Sequence, residues 1–137
     1  MEYVRRLALA LLLIGSLAPS GGARAAELLM FERAGCPWCA RWNREVAPGY
    51  VRSEEGEYAP LRRIDLDRES HPRDIAFKTP VRFTPTFVLV DQGREIGRLI
   101  GYIDAATFWG LFTKMVRDHR EGREPAPHNA PIGGRSG

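Results

Sequence analysis

Hydrophobic and polar residues follow one another in patterns that predict strands and helices in alternation. A short apolar run bounded by charges, Glu27–Glu32, has the length of a buried strand. After Pro37, aromatic and apolar residues recur at every fourth position, which predicts an amphipathic helix with proline at its first position. The recurring residues are Trp38, Trp42 and Val46. Pro48-Gly49 is expected to end or kink this helix.

The middle of the chain predicts a second strand and two weaker helical segments. Residues 61–66 alternate between apolar and polar side chains from Ile64 onward, which is typical of a strand. Residues 50–58 are compatible with a continuing, weaker helix. A short helix is expected at residues 73–78, between Pro72 and Pro80.

The last third of the chain predicts a hairpin and a final helix. Two strand patterns, at residues 86–90 and 95–100, flank the turn Asp91-Gln92-Gly93. Asp104 is a suitable N-cap for a helix that Gly122 ends. Its apolar stripe is expected to contain Phe108, Leu111, Phe112 and Met115.

The first two strands have room between them for a helix and should therefore be parallel, while the hairpin adds an antiparallel pair. The fold class predicted is α/β, with a mixed four-stranded sheet flanked by helices.

The N-terminus has the layout of a secretory signal peptide. Arg5-Arg6 precedes an apolar run, Leu7–Leu17, and the small-residue pattern Ala23-Arg24-Ala25 follows. A membrane anchor is the alternative, but this run would cross only about half of a ~30 Å hydrocarbon core. The paired arginines also allow a twin-arginine export signal. We expect cleavage after Ala25, no stable membrane anchor afterwards, and a periplasmic location.

The length of 137 residues suits one domain, and the composition, 44% hydrophobic and 27% charged, is that of a globular protein. Residues 26–121 are the expected domain. Residues 122–137 are rich in proline and glycine, with Ile132 as the apolar residue to bury, and are expected to form a disordered tail.

The net charge gives no support for nucleic-acid binding. Removal of the signal peptide takes away three arginines and one glutamate, so the formal net charge falls from +3 to +1. The remaining arginines are spread from Arg33 to Arg135 with acids between them, whereas nucleic-acid binding requires a clustered basic face.

The motif that carries chemistry is Cys36-Pro37-Trp38-Cys39, at the predicted transition from strand to helix. Cys36 falls at the helix N-cap, where free N–H groups and the helix dipole stabilise a thiolate. Cysteines placed in this way have pKa values lowered from ~8.5 to roughly 3.5–7.5. Cys39 lies one helical turn further, so it can close a small disulfide with Cys36 and resolve a mixed disulfide.

Other interpretations of the two cysteines are less favoured. A purely structural disulfide is possible, but a loop this short removes little chain entropy. A zinc site needs further ligands from His71, His119 or His128, of which two lie in or near the tail. Covalent haem attachment requires histidine directly after the second cysteine, where Ala40 stands.

At these motifs the chain resembles a minimal version of the thioredoxin superfamily, over roughly residues 27–120. The narrower segments 36–42 and 82–90, together with the signal peptide, are similar to small periplasmic thioredoxin-like proteins associated with bacterial sulfur-oxidation systems. This resemblance implies that Cys36 attacks, that Cys39 resolves, and that Pro85 is a cis-proline opposite the disulfide. It also implies that Thr84 and Gly101 receive an extended partner chain. Trp38 is expected to be an exposed recognition residue.

Two positions depart from thioredoxins proper. Gly35 precedes the first cysteine in place of tryptophan, and Met30 stands nearest to the place of a buried aspartate. Glu32 could relay protons, but as a charge at a strand end it is expected at the surface. His71 is expected in a solvated loop, and Trp42 in the core.

These observations together predict an exported, monomeric thiol–disulfide oxidoreductase that needs no cofactor or metal beyond its own dithiol. Its expected partners are a periplasmic protein disulfide or thiol substrate and a membrane thiol electron donor. A disulfide-introducing oxidase and a non-catalytic binding module are the alternatives.

Overall fold

The computed structural model describes residues 26–122. The expected signal peptide and the tail beyond Gly122 lie outside these residues. Four strands and four helices follow one another in the described part. They are β1 (Glu27–Glu32), α1 (Pro37–Glu45), α2 (Ala47–Tyr50), α3 (Glu54–Tyr58), β2 (Leu61–Asp65), β3 (Thr86–Asp91), β4 (Arg94–Ile100) and α4 (Ala105–Arg120).

The strands form one mixed sheet in the order β2-β1-β3-β4. β1 is parallel to β2, and it is antiparallel to β3, which forms the hairpin with β4. The predicted α/β class, the parallel pair and the hairpin are therefore confirmed. In the register, Phe31 faces Thr86, and Thr86 faces Ile100. The end of β1, the start of β3 and the end of β4 consequently meet at one edge of the sheet.

Both faces of the sheet are covered by apolar side chains. Leu28 and Met30 pack with Trp42, which is fully buried as expected, and with residues of α4. Leu29 and Phe31 point to the opposite face and join a second cluster. This alternation follows from the two-residue period of a strand. Within residues 26–122, no helix has the length and apolar character needed to cross a membrane.

The helix that contains Cys39 ends close to Pro48-Gly49, as expected. α1 ends at Glu45, and a separate short turn, α2, contains Pro48 near its start. The weak helix expected over residues 50–58 is instead divided between α2 and α3, since Ser53 lies outside both and caps α3 by accepting a hydrogen bond from Gly56 N–H at 3.0 Å.

The short helix predicted at residues 73–78 is wrong. Ala76 forms an isolated bridge with Arg94, donating to the Gly93 carbonyl at 2.8 Å and accepting from Glu95 N–H at 3.1 Å. Because the backbone bonds to the edge of β4, it cannot make helical bonds. Ile75 is buried at the same time in the second apolar cluster.

One residue of the predicted stripe on the final helix is also misplaced. Leu111 is 51% exposed, whereas the buried side of α4 contains Phe108, Phe112, Met115 and Val116. Asp104 caps this helix as expected, because its carboxylate accepts from Thr107 N–H at 2.7 Å. This hydrogen bond lowers the pKa of Asp104.

Candidate active site

The two cysteines form a disulfide at the start of α1, with their Cα atoms 5.3 Å apart. Cys36 is the N-cap residue, and its sulfur accepts a hydrogen bond from Cys39 N–H at 3.2 Å. Pro37 occupies the first turn, where its missing N–H leaves no helical bond unmade. Sulfur therefore takes the place of the side-chain oxygen that usually caps a helix.

The two sulfur-bearing residues differ in their access to solvent. Cys39 is 3% exposed and belongs to the core under α1, while Cys36 is only half-buried. Trp38, between them, is 52% exposed, which matches its expected surface position. An incoming partner can therefore reach Cys36 before Cys39.

The loop before β3 and the end of β4 are joined at the same edge of the sheet. The Thr84–Pro85 peptide bond is cis. Gly101 N–H donates to the Pro85 carbonyl oxygen at 2.7 Å, and Gly101 has a φ of 83°, a conformation that favours glycine. Thr84 is half-buried and Phe83 is 67% exposed. The structure thus brings Pro85 and Gly101 into direct contact.

A polar network connects α1 to the segment that follows Gly101. Glu45 accepts from the Tyr102 hydroxyl at 2.6 Å and from Arg41 Nε at 2.8 Å, while Arg41 also donates to the Ile103 carbonyl at 2.9 Å. The tyrosine and arginine hydrogen bonds lower the pKa of Glu45. Burial and the bond to Glu45 raise the pKa of Tyr102 to about 12. The helix that carries the cysteines is therefore tied to the Gly101 segment.

Glu32, expected at the surface, is only partly exposed. Its side chain is 23% exposed and ion-paired with Arg63. His71 is also less solvated than expected, since its Nε2 accepts from Val81 N–H at 2.9 Å and its ring lies beside Phe31. The sequence did not predict that Arg63 and its hydrogen-bond partner Asn43 lie beside Glu32. Their position depends on the register of β2 against β1, which the spacing of residues in the sequence does not reveal.

The described residues do not contain a cluster of three or more metal-ligating side chains. The two cysteines, an accessible sulfur at the helix N-cap disulfide-bonded to a buried one, are arranged for thiol–disulfide chemistry.

A mixed sheet with a Cys-x-x-Cys disulfide where β1 leads into a helix defines the thioredoxin-fold class. The family model for the thioredoxin-like domain matches residues 17–115, so the chain belongs to the thioredoxin-like family.

Solved structures agree with this assignment. The periplasmic thioredoxin SoxS from Paracoccus pantotrophus, in its reduced form, is 41% identical, with a TM-score of 0.65 over 69% of this chain and 98% of that one. Two further structures share the fold. A thioredoxin from Malassezia sympodialis is 20% identical (TM-score 0.53, covering 69% of this chain and 80% of that one). A thioredoxin-fold protein from Helicobacter pylori is 22% identical (TM-score 0.53, covering 71% and 72%). No curated protein sequence matches the chain significantly.

Proposed function

We propose that the chain is an exported thiol–disulfide oxidoreductase that reduces a disulfide or sulfur adduct on a periplasmic protein. The observation that carries this proposal is the position of Cys36, a helix N-cap sulfur that is accessible and disulfide-bonded to the buried Cys39. The helix terminus stabilises a thiolate there, and thiolates are the attacking species in disulfide exchange.

The reaction takes place in two exchanges. The Cys36 thiolate attacks one sulfur of the partner disulfide, whose S–S bond breaks, and the first partner thiolate leaves. The Cys39 sulfur, after losing its proton, attacks Cys36 Sγ and releases the second partner sulfur, which takes up a proton. Two electrons pass to the partner, and the Cys36–Cys39 disulfide remains. A membrane thiol carrier is the proposed donor that restores the dithiol.

The partner surface consists of Trp38, Thr84, Pro85 and Gly101. It is supported by the end of the sheet that these segments share, by the hydrogen bond between Gly101 and Pro85, and by the exposure of Trp38. The periplasmic location rests on the signal-like N-terminus and on the likeness to a periplasmic thioredoxin. We also propose that the protein acts as a monomer, without a further cofactor and without a nucleic-acid partner.

An insulin-type disulfide reduction assay tests the proposal. The reduced wild-type protein is expected to reduce the substrate, while the Cys36→Ala and Cys39→Ala variants fail to turn over. A binding module would give no turnover in the wild type. Equilibration with glutathione at defined ratios then distinguishes a reductase from a disulfide-introducing oxidase, because the oxidase holds its disulfide less stably.

A further inference from the structure

The strand before the cysteines places Glu32 under α1. Leu28 and Met30 lie on the face that packs against Cys39 and Trp42, whereas Leu29 and Phe31 lie on the other. Side chains alternate along a strand, so Glu32 shares the face of Met30 and stands one step nearer the cysteine loop. A carboxylate therefore ends the apolar layer that buries Cys39.

Two neighbours hold this carboxylate in place. Arg63 Nη1 donates to both oxygens of Glu32, at 3.1 and 3.0 Å, and its Nη2 donates to Asn43 Oδ1 at 2.9 Å. Arg63 is the cross-strand neighbour of Met30, and its guanidinium lies over the Trp42 ring at 5.9 Å. Glu32, Arg63 and Asn43 form a fixed group, called here the β1–β2 polar triad.

The triad borders an open cavity that reaches the disulfide. Glu32 and Asn43 line this cavity together with Cys36 and Cys39, and its volume is about 350 Å³. That volume is sufficient for several water molecules, and its wall offers them polar groups. Water can therefore connect the Glu32 carboxylate with the otherwise buried Cys39 sulfur.

Cys39 needs such a connection more than Cys36 does. Cys36 accepts a backbone N–H at the helix terminus, whereas Cys39 is buried within the first turn, where burial favours the neutral thiol. Met30, a β1 residue in the same apolar cluster as Cys39, has a thioether that accepts protons poorly.

We infer that Glu32, positioned by Arg63 and Asn43, accepts the proton of the Cys39 thiol through cavity water during the second exchange. The inference rests on the proposed function of the cysteines. The proton passes from Cys39 Sγ–H to water and from water to the carboxylate. The Cys39 electron pair forms the new bond to Cys36 Sγ, and the partner sulfur leaves with the electrons of the broken bond. Glu32 then returns the proton to solvent or to the leaving thiolate.

Reaction of the reduced protein with an aromatic reporter disulfide separates the two steps. The attack by Cys36 releases one coloured thiol, and the attack by Cys39 releases a second. In Glu32→Gln, which preserves the side-chain shape, the first release should stay within about twofold of the wild type. The second should slow by about 10- to 100-fold near neutral pH, the scale of a lost proton acceptor. The deficit should close at alkaline pH, where hydroxide removes the proton, and Glu32→Asp should recover part of the rate.

Glu27→Gln is the matched control. Glu27 lies at the other end of β1, is 19% exposed, and pairs with Arg62 of β2 at 3.6 Å. Both releases should keep the wild-type rate in this variant. Wild-type rates for the second release in Glu32→Gln across the pH range would overturn the inference and leave the proposed function standing. A wild-type protein without a first release would instead overturn the proposed function.

Discussion

The backbone N–H of Gly101 donates to the carbonyl oxygen of Pro85 at 2.7 Å, joining the end of β4 to the loop before β3. Both residues stand at the edge of the sheet where β1 leads into the cysteine motif. Because three separate segments of the chain meet there, the proposed partner surface is assembled by the sheet and not by any one loop.

Gly101→Ala should lower the free energy of unfolding by about 1–2 kcal/mol, because an L-residue is strained at a φ of 83°. Nothing lies within 4 Å of the added Cβ, so a steric clash does not contribute. Reaction with a protein disulfide should also slow, since Gly101 belongs to the proposed partner surface. Gly110→Ala is the control, because this position in α4 is equally open but has an ordinary helical φ. There, chemical denaturation should show a gain of about 0.5–1 kcal/mol. Equal effects at both positions would contradict the argument.

Glu95 and Arg98 form a buried ion pair whose closest N···O distance is 2.6 Å, with side chains 2% and 9% exposed. Glu95→Gln should cost roughly 3–5 kcal/mol, since it leaves the Arg98 charge buried without its counter-charge. The double change Glu95→Leu with Arg98→Met should cost less than the single one, because no charge then remains buried. Urea titrations of the three proteins measure this difference, and a double variant less stable than the single would refute it.

The same pair predicts how stability depends on pH. Burial acts to raise the pKa of Glu95, but hydrogen bonds from Arg98 and from Lys78 N–H outweigh it, so the pKa lies below its ordinary 4.5. A carboxyl with a lowered folded-state pKa stabilises the fold fully above its unfolded pKa, and this contribution is lost as the pH falls through the folded value. Melting temperatures measured from pH 6 downward should therefore fall less steeply below about pH 4.5 in Glu95→Gln than in the wild type. Parallel curves would exclude a role for Glu95 in acid unfolding.

Trp38 and Trp42 lie four residues apart on α1, and their truncation should affect different properties: the reaction rate for Trp38 and the stability of the fold for Trp42. Trp38 is 52% exposed, so Trp38→Ala should change stability by less than about 0.5 kcal/mol while slowing reaction with a protein disulfide. Trp42 is fully buried, so Trp42→Ala should cost about 3–5 kcal/mol. Calorimetry and the reduction assay, run on both variants, give the comparison. An unchanged rate in Trp38→Ala would remove this residue from the partner surface.

The sequence predicts those features that depend on local pattern. The hairpin of β3 and β4, the parallel pairing of β1 with β2 and the capping of α1 by Cys36 all follow from spacing and turn chemistry, and the structure confirms them. The bridge at Ala76 was not predictable, because it depends on Arg94 of an edge strand, 18 residues further along the chain. Leu111 was misplaced because α4 turns its Phe112 side inward, a rotation that one helix pattern leaves open.

Charged groups inside the fold were the least predictable. The sequence carries no signal that Glu95 and Arg98 are buried. They are buried because they form an ion pair with each other and hydrogen-bond to residues 78 and 79. Glu32 likewise reads as a strand-end charge. Its partner Arg63 becomes a neighbour through the β1–β2 register, which only the folded sheet supplies.

The central claim is that Cys36 attacks the partner and Cys39 resolves the complex. It is tested most directly by mixing each reduced single-cysteine variant with a disulfide-containing protein and locating any mixed disulfide by mass spectrometry. Cys39→Ala should accumulate a covalent complex through Cys36, because the half-buried N-cap sulfur can attack but nothing resolves the product. Cys36→Ala should form little complex, because Cys39 is 3% exposed. A complex that forms through Cys39 at the same rate as through Cys36 would contradict the assignment of both roles.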